Sequence, residues 1–236
     1  MSIVSIQDVH KKYPLGKTTV HAVQGVSFTI QAGDFISIAG PSGSGKSTIL
    51  NLLGCIDVPT EGAVIIDGQD TRELSDRQIT ELRHRFIGFI FQSFNLVPVL
   101  NVYENIELPL LLGKTAFSRS ERRSWIEHLM AEVGLTEWRT HRPNELSGGQ
   151  RQRVAIARAL VTKPRVVLAD EPTANLDSKT GEVIIELMKS ISRDQGTTFV
   201  FSTHDASIVE IADHVIRLLD GYIVKEERRT RGGLLV

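Results

Sequence analysis

Residues 40–47 read GPSGSGKS, and few stretches of this length restrict the fold of a chain so narrowly. They match the phosphate-binding pattern G-x-x-x-x-G-K-[ST] at every specified position. An apolar run at residues 35–39 precedes them, and residues 48–53 continue as a helix-compatible apolar run. This order predicts a buried strand that passes through a glycine-rich loop into a helix N-terminus. A glycine-rich turn without a ligand is the alternative.

Each residue type in this loop suits phosphate binding. Gly43 and Gly45 permit backbone dihedrals that turn successive N–H groups towards phosphate oxygens, and the helix that begins near Lys46 adds its positive dipole end. We expect Lys46 to reach the β- and γ-phosphates, the Ser47 hydroxyl to bind Mg²⁺, and Thr48 to hydrogen-bond a more inward phosphate. The predicted loop comprises Gly40, Pro41, Ser42, Gly43, Ser44, Gly45, Lys46, Ser47 and Thr48.

Composition and charge exclude several classes. The 236 residues are 41% hydrophobic and 23% charged, with a formal net charge of -1, so bulk electrostatics does not indicate a nucleic-acid partner. Cys55 is the only cysteine, which excludes an internal disulfide and a cysteine-rich zinc site. No signal-peptide pattern is present, and no run approaches the roughly 18 apolar residues of a membrane span. We therefore expect a cytoplasmic chain that meets a membrane only through a partner.

The pattern of strands and helices predicts an α/β fold in a single domain. Short alternating segments at residues 3–9, 20–30 and 62–67 predict an antiparallel sheet, with Tyr13 in a polar connection. Helical spacing dominates residues 93–163, and an alternating β/α pattern follows, ending in a frayed tail from residue 226. The expected architecture is a P-loop NTPase (RecA-like) core of residues 1–92 and 164–236, with an N-terminal antiparallel β subdomain and an inserted α-helical subdomain at residues 93–163.

Asp170 and Glu171 follow a short apolar strand at residues 166–169. A carboxylate there can hold Mg²⁺, directly or through water, opposite the Ser47 hydroxyl, which is the role expected for Asp170. Glu171 points to the other side of the strand end and is expected to orient and deprotonate the attacking water. A capping or salt-bridged surface pair is the alternative for two such carboxylates.

The stretch LSGGQ at residues 146–150 leads into a helix-compatible run. Here the sequence resembles the ATP-binding-cassette (ABC) ATPases, whose signature motif is LSGGQ. A serine hydroxyl, exposed glycine N–H groups and a helix N-terminus form a second anion site. One chain has one γ-phosphate, so this site is expected to act on the nucleotide of another subunit, as it does in the family. The residues of the signature site are Ser147, Gly148, Gly149 and Gln150.

The resemblance covers nearly the whole chain, and the motifs fall in family order. It implies that Tyr13 stacks on adenine, although residue type alone is equally compatible with a partly packed surface tyrosine. It further implies that Gln92 senses Mg²⁺ and the attacking water, and that His204 contacts the γ-phosphate. Asp177 belongs to the D-loop at residues 174–177, which faces the partner subunit. The expected catalytic residues are Glu171, His204, Gln92 and Lys46, and the expected metal ligands are Ser47, Gln92 and Asp170.

Two positions depart from the usual family pattern. Ala169 is smaller than the branched residue common at that strand position, and Asn175 differs from the most frequent D-loop form. Neither removes a catalytic group, so the resemblance implies an active ATP hydrolase.

A narrower resemblance is to the subgroup that serves lipoprotein release, macrolide export and FtsE-type cell division. It is carried by residues 87–96 and 104–110, and residues 50–57 and 141–145 indicate the same subgroup. The resemblance implies a homodimer around two Mg-ATP, driving an integral membrane permease-type subunit from the inner face of the cell membrane. Two alternatives are an ATPase that gates a membrane-bound cell-wall hydrolase regulator without transport, and a soluble ABC ATPase acting on nucleic acid or ribosomes. A GTPase is disfavoured because no guanine-reading Asn/Thr-Lys-x-Asp segment is found.

Overall fold

The computed structural model describes residues 2–113 and 117–229, which form two β-sheets and seven α-helices. The first sheet is antiparallel with strand order β2-β1-β4-β5, as the alternating segments predicted. Its strands are β1 (Ser2–Leu15), β2 (Thr18–Gln31), β4 (Glu61–Ile66) and β5 (Gln69–Asp70).

The first two strands are longer than predicted, and the placement of Tyr13 in a polar connection was wrong. Tyr13 lies in β1 and pairs with Val20 of β2, in a hairpin that turns at Gly16 with a φ of 60°. Apolar alternation stops near Val9, but backbone hydrogen bonding continues through the exposed end of the hairpin. Pairing of backbone groups in a tight two-residue hairpin does not require apolar side chains.

The second sheet has the order β10-β9-β3-β8-β7-β6, with parallel pairing from β9 through β6 and an antiparallel edge strand β10. The parallel strands are buried on both faces. Val166 and Leu168 face one hydrophobic cluster, whereas Val167 and Ala169 face the other, as the period of two in a strand requires. The strands are β3 (Phe35–Ala39), β6 (Ile87–Ile90), β7 (Val166–Asp170), β8 (Thr198–Thr203), β9 (His214–Leu219) and β10 (Tyr222–Arg228).

The helices cover both faces of the second sheet. One cluster lies between the two sheets and includes residues of α1 and α2; the other joins the opposite face to α3, α4, α5 and α6. The described part of residues 93–163 contains three of these helices and no strand. No helix in residues 2–113 or 117–229 combines the length and apolarity needed to cross a membrane. The helices are α1 (Lys46–Leu53), α2 (Asp76–Phe86), α3 (Val102–Leu112), α4 (Arg119–Glu132), α5 (Gly148–Leu160), α6 (Ser178–Gln195) and α7 (Ala206–Ile211).

The frayed tail predicted from residue 226 was partly wrong. Strand β10 continues to Arg228, because its polar side chains are paired across the sheet. Glu226 contacts the buried His214 at 2.8 Å, and Arg228 Nη2 donates to the backbone oxygen of Thr29 at 2.8 Å. Charged side chains with partners on β9 and on β2 of the first sheet stabilise a strand that composition alone does not indicate. Residues 230–236 lie outside the described range.

The parallel strands of the second sheet end in polar residues at the same edge of the sheet. Ala39, which ends β3 just before the glycine-rich loop, pairs with Thr203, and Asp170 pairs with Ser202. The carboxyl ends of β3, β7 and β8 are therefore level with one another. In open α/β sheets, ligands bind outside the carboxyl ends of the strands. Lys46, Glu171 and His204 follow these three ends, and Gln92 follows the end of the neighbouring strand β6.

Candidate active site

The glycine-rich loop forms a cradle at the start of α1. Gly43 and Gly45 have φ values of 80° and 101°, in the region that favours glycine. At Gly45 space is also limiting, since a Cβ would lie 2.3 Å from the backbone oxygen of Ala22. Helix α1 has no side-chain N-cap, so its first N–H groups are left for a ligand.

The side chain of Lys46 is nearly buried within this cradle. Its ammonium donates to the backbone oxygens of Gly40 and Pro41 at 2.8 and 2.9 Å. The Ser44 N–H donates to the Pro41 oxygen at 3.3 Å, which closes the turn beneath the ammonium. The loop carbonyls thus hold the cation at the floor of the loop, ready for an anionic ligand.

Asp170 and Ser47 meet beneath the loop. The Ser47 hydroxyl donates to Asp170 Oδ1 at 3.0 Å, and the Ser202 hydroxyl donates to the same carboxylate oxygen. The sequence predicts that both groups bind Mg²⁺, but it does not indicate the contribution of Ser202 from β8. Together the two hydroxyls fix the orientation of the carboxylate.

Glu171 follows Asp170 at the end of β7 and makes different contacts, to His204 and Lys46. Its φ is 45°, a conformation that costs a non-glycine residue of the order of 1 kcal/mol and is common at functional sites. The Glu171 N–H donates to the Ser202 oxygen at 2.9 Å, which anchors this turn. His204 Nδ1 lies 3.0 and 2.9 Å from the two carboxylate oxygens, and Lys46 Nζ lies 3.9 Å from Oε1.

Lys46, Ser47, Glu171 and His204 line a cavity of about 600 Å³. Val20, His21 and Ala22 of β2 form one wall of it, and sequence reasoning did not identify them. The hairpin register sets Val20 opposite Tyr13 and His21 opposite Lys12, and no sequence motif marks these residues. The predicted site residues that line the cavity are Ser42, Gly43, Gly45, Lys46, Ser47, Thr48, Gln92, Glu171 and His204.

The signature residues do not line this cavity. Ser147 caps α5 by accepting from the Gln150 N–H, and Gln150 Oε1 accepts from the Ser147 N–H. Gly149 lies against α6, where a Cβ would come 2.6 Å from Thr180 Cγ2. The signature is therefore next to the D-loop of its own chain, where Asp177 caps α6 by accepting from the Thr180 N–H and hydroxyl.

Gln92 and the D-loop are in direct contact. The Asn175 side chain donates to the Gln92 backbone oxygen at 2.7 Å. The position that departs from the usual D-loop pattern thus connects two predicted functional loops. Sequence spacing could not indicate this contact, because 83 residues separate its partners.

Comparisons with known proteins show the family of this chain. A sequence profile of the ABC transporter family matches residues 23–174. The chain is 46% identical over 228 residues to the ABC transporter ATP-binding protein MJ0796 of Methanocaldococcus jannaschii, covering 96% of this chain and 97% of that protein. The solved dimeric structure of MJ0796 in a post-hydrolysis state, bound to ADP and Pi, matches with a TM-score of 0.89 at 45% identity, over 98% of this chain and 100% of that one. This likeness confirms the predicted α/β P-loop fold.

Two further relatives carry more specific names. The chain is 44% identical to the macrolide export ATP-binding/permease protein MacB of Bdellovibrio bacteriovorus, covering 96% of this chain but 34% of that protein. It is 42% identical to the lipoprotein-releasing system ATP-binding protein LolD 1 of Rhodopseudomonas palustris, covering 94% of this chain and 98% of that protein. The chain therefore belongs to the ABC transporter family and is one of its ATP-binding cassettes, an ATPase of the group that includes MacB and LolD.

Proposed function

We propose that two copies of this chain close around two Mg-ATP molecules, each held between residues 40–47 of one copy and residues 147–150 of the other. One observation carries the proposal. The cavity gathers the phosphate cradle, Glu171 and His204, whereas the signature helix begins outside it, at an exposed Ser147. A second copy brings a phosphate to that helix N-terminus, and the dimer solved for MJ0796 supports such an arrangement.

ATP then acts as the connection between the two copies. Its γ-phosphate satisfies the cradle of one copy and the signature helix of the other, while ADP reaches only the cradle. Hydrolysis removes the differential affinity for the closed state, so the dimer opens.

Ser47 and Asp170 suit Mg²⁺. Their oxygens lie 3.0 Å apart at the base of the cradle, and Gln92 lines the cavity together with Ser47. Hard oxygen ligands completed by phosphate oxygens are what this ion prefers. Bound there, Mg²⁺ would neutralise charge on the β- and γ-phosphates.

Hydrolysis follows from the side chains around the γ-phosphate. Glu171 accepts a proton from a water whose oxygen attacks the γ-phosphorus, and the bond from phosphorus to the bridging oxygen of ADP breaks. Lys46 offsets the charge on the phosphate oxygens. His204 Nδ1 lies within hydrogen-bond distance of Glu171, and Nε2 is left to contact the γ-phosphate, so the imidazole helps to keep the base oriented.

A path from the cavity to a membrane partner is supported by Arg158 on α5. Its guanidinium donates to the backbone oxygens of Phe94 and Asn95 at 2.7 and 2.6 Å, in the loop that follows Gln92. Two cavities of about 190 and 950 Å³ share His84 and extend from this loop along α2 and α3. We assign this groove to a segment of an integral membrane subunit, and residues 93–163 to a helical subdomain that moves with it.

The chain would accordingly work on the inner face of the cell membrane, held there by that subunit. The macrolide-export and lipoprotein-release names of its relatives favour mechanical work on a membrane protein. Cargo selection would then belong to the membrane subunit.

The test is affinity purification of tagged Glu171→Gln protein from detergent-solubilised membranes containing ATP, followed by mass spectrometry. We expect a stoichiometric integral membrane protein, and its loss when Arg158→Ala is added. Recovery of a dimer without a membrane protein would contradict the membrane role. Recovery of nucleic acid or ribosomes would support the soluble alternative.

A further inference from the structure

The phenol of Tyr13 is held in place by a hydrogen bond to a carboxylate. Its hydroxyl donates to Asp57 Oδ2 at 2.7 Å. Burial raises the pKa of the Tyr13 phenol, and the hydrogen bond and charge of Asp57 raise it further. The phenol therefore remains a proton donor at neutral pH.

The other carboxylate oxygen of Asp57, Oδ1, accepts hydrogen bonds from Lys11 and Val58. Lys11 Nζ donates to Asp57 Oδ1 at 2.5 Å and to the Val58 backbone oxygen at 2.9 Å, and the Val58 N–H donates to Oδ1 at 2.8 Å. Burial acts to raise the pKa of Asp57, but the hydrogen bonds from Lys11 and Tyr13 outweigh it and lower the pKa. The carboxylate is thus ionised at neutral pH, with both oxygens engaged.

The two ends of this contact belong to different parts of the site. Asp57 follows α1, whose N-terminus is the phosphate cradle, and its N–H donates to the Asn51 oxygen of that helix at 3.3 Å. Tyr13 lies on the hairpin opposite Val20, which lines the cavity. The carboxylate therefore fixes the distance between the hairpin ring and the cradle helix.

We infer that Asp57 is a positioning residue for nucleotide binding: it locks the Tyr13 ring beside the cavity so that adenine stacking and phosphate binding occur in register. The inference rests on the proposed ATP site and on the adenine-stacking role that the family resemblance implies for Tyr13. A ring on an exposed hairpin would otherwise sample several rotamers, and ordering it would weaken binding. The lock supplies that order before ATP arrives.

If Asp57 only joined these two segments, other contacts between them would matter equally for nucleotide affinity. The same two segments are also joined by the Thr60 N–H to the His10 oxygen at 2.8 Å, and by Lys12 Nζ to Glu61 at 2.6 Å. The second of these is a matched control, because it links β1 to β4 beside Tyr13 without touching the phenol. Glu61→Ala should leave nucleotide affinity unchanged.

The test compares Mg-ATP with Mg-tripolyphosphate, which has the phosphates but no base, by calorimetric titration of the full chain. Tyr13→Ala should weaken ATP binding by about ten- to a hundredfold through lost stacking, with tripolyphosphate affinity unchanged. Asp57→Ala and Tyr13→Phe should each weaken ATP binding by about three- to tenfold, and again leave tripolyphosphate unchanged. Because both changes break one contact, the double variant should bind no worse than either single variant.

The outcomes separate this inference from the function on which it rests. If Tyr13→Ala loses ATP affinity but Tyr13→Phe and Asp57→Ala do not, the positioning role is wrong and the stacking role stands. If Asp57→Ala weakens ATP and tripolyphosphate equally, Asp57 supports the cradle and the inference is again wrong. If Tyr13→Ala does not change ATP affinity, Tyr13 does not stack on adenine. If Asp57→Ala does not fold, the test relies on Tyr13→Phe. Asp57→Asn keeps an acceptor for the phenol, so it should bind ATP more tightly than Tyr13→Phe.

Discussion

Two helices of this protein begin with residues suited to anions, and their N-termini differ. Helix α1 starts after Gly45 with no side-chain cap, and its first turn opens into a cavity that also contains Glu171 and His204. Helix α5 starts after Ser147, whose side chain closes back on the Gln150 N–H in a capping box. The first site is assembled within the chain, whereas the second is satisfied by its own serine and lies outside the cavity.

The difference shows that a sheet edge and a lone helix N-terminus are prepared for a ligand to different degrees. Parallel strands bring residues that are far apart in sequence to one edge, so Glu171 and His204, the proposed catalytic groups, are in contact before a ligand binds. In the proposed dimer, a phosphate at α5 would compete with the cap, a contact of the order of 1 kcal/mol. We expect the first site to dominate nucleotide affinity and the second to govern closure.

The largest effect should come from Glu171→Gln, which removes the base of the assembled site. Turnover should fall about 10²- to 10⁴-fold, while ATP still binds and the variant accumulates as a dimer. Phosphate release and light scattering measure the two properties. The same substitution at the exposed Glu182 on α6 is the control and should leave turnover unchanged. Wild-type turnover in Glu171→Gln would remove Glu171 from the proposed mechanism.

Lys46→Ala tests the cradle itself. Loss of a charge-assisted contact to phosphate costs about 1.5–3 kcal/mol, so the dissociation constant for Mg-ATP should rise by about ten- to a hundredfold. Titration with a fluorescent ATP analogue measures it, with Lys225→Ala on the surface of β10 as the control. Unchanged affinity would contradict the assignment of residues 40–47 as the phosphate site.

Gly149→Ala tests the second helix without touching the first. The added Cβ meets Thr180 Cγ2, whose rotamer is held by the 2.6 Å hydrogen bond from its hydroxyl to Asp177. Overpacking of this kind costs about 1–3 kcal/mol, and it should displace the signature from the D-loop. Turnover should fall by about tenfold with Mg-ATP affinity of the monomer unchanged.

The Gly149→Ala/Thr180→Ser double variant provides the check, because serine keeps the hydroxyl and removes the clashing methyl group. It should recover most of the turnover. An equal loss in both variants would show that the contact with Thr180 is not the cause.

The smallest effect concerns the far end of α1. Burial raises the pKa of the Cys55 thiol to about 11, against an opposing effect of Arg83. Only the thiolate reacts with alkylating reagents, so the rate of iodoacetamide modification should keep rising up to about pH 11, well above the ordinary cysteine pKa of about 8.5. Mass spectrometry follows the single modification, and urea-unfolded protein serves as the control. A plateau near pH 9 in the folded protein would show that the end of α1 is not packed as described.

Much of the site follows from local sequence. Residues 40–47 predict the cradle because a strand, a glycine-rich turn and a helix are contiguous, and Asp170 and Glu171 are marked by the strand before them. The roles of Tyr13 and His204 came from resemblance, since residue type alone does not distinguish a ligand contact from a packed side chain. The extent of β1 and β10 was missed because ion pairs and backbone pairing, not apolar alternation, hold those strand ends.

The sequence by itself determined the α/β class, the cradle and the order of the motifs, because these depend on neighbours along the chain. Only the tertiary structure decided which groups meet. Ser202 reaches Asp170, Asn175 reaches Gln92, and Asp57 reaches Tyr13 across 32, 83 and 44 residues. Such contacts depend on strand order, register and hairpin geometry, and these are set by the packing of the whole chain and not by any local pattern.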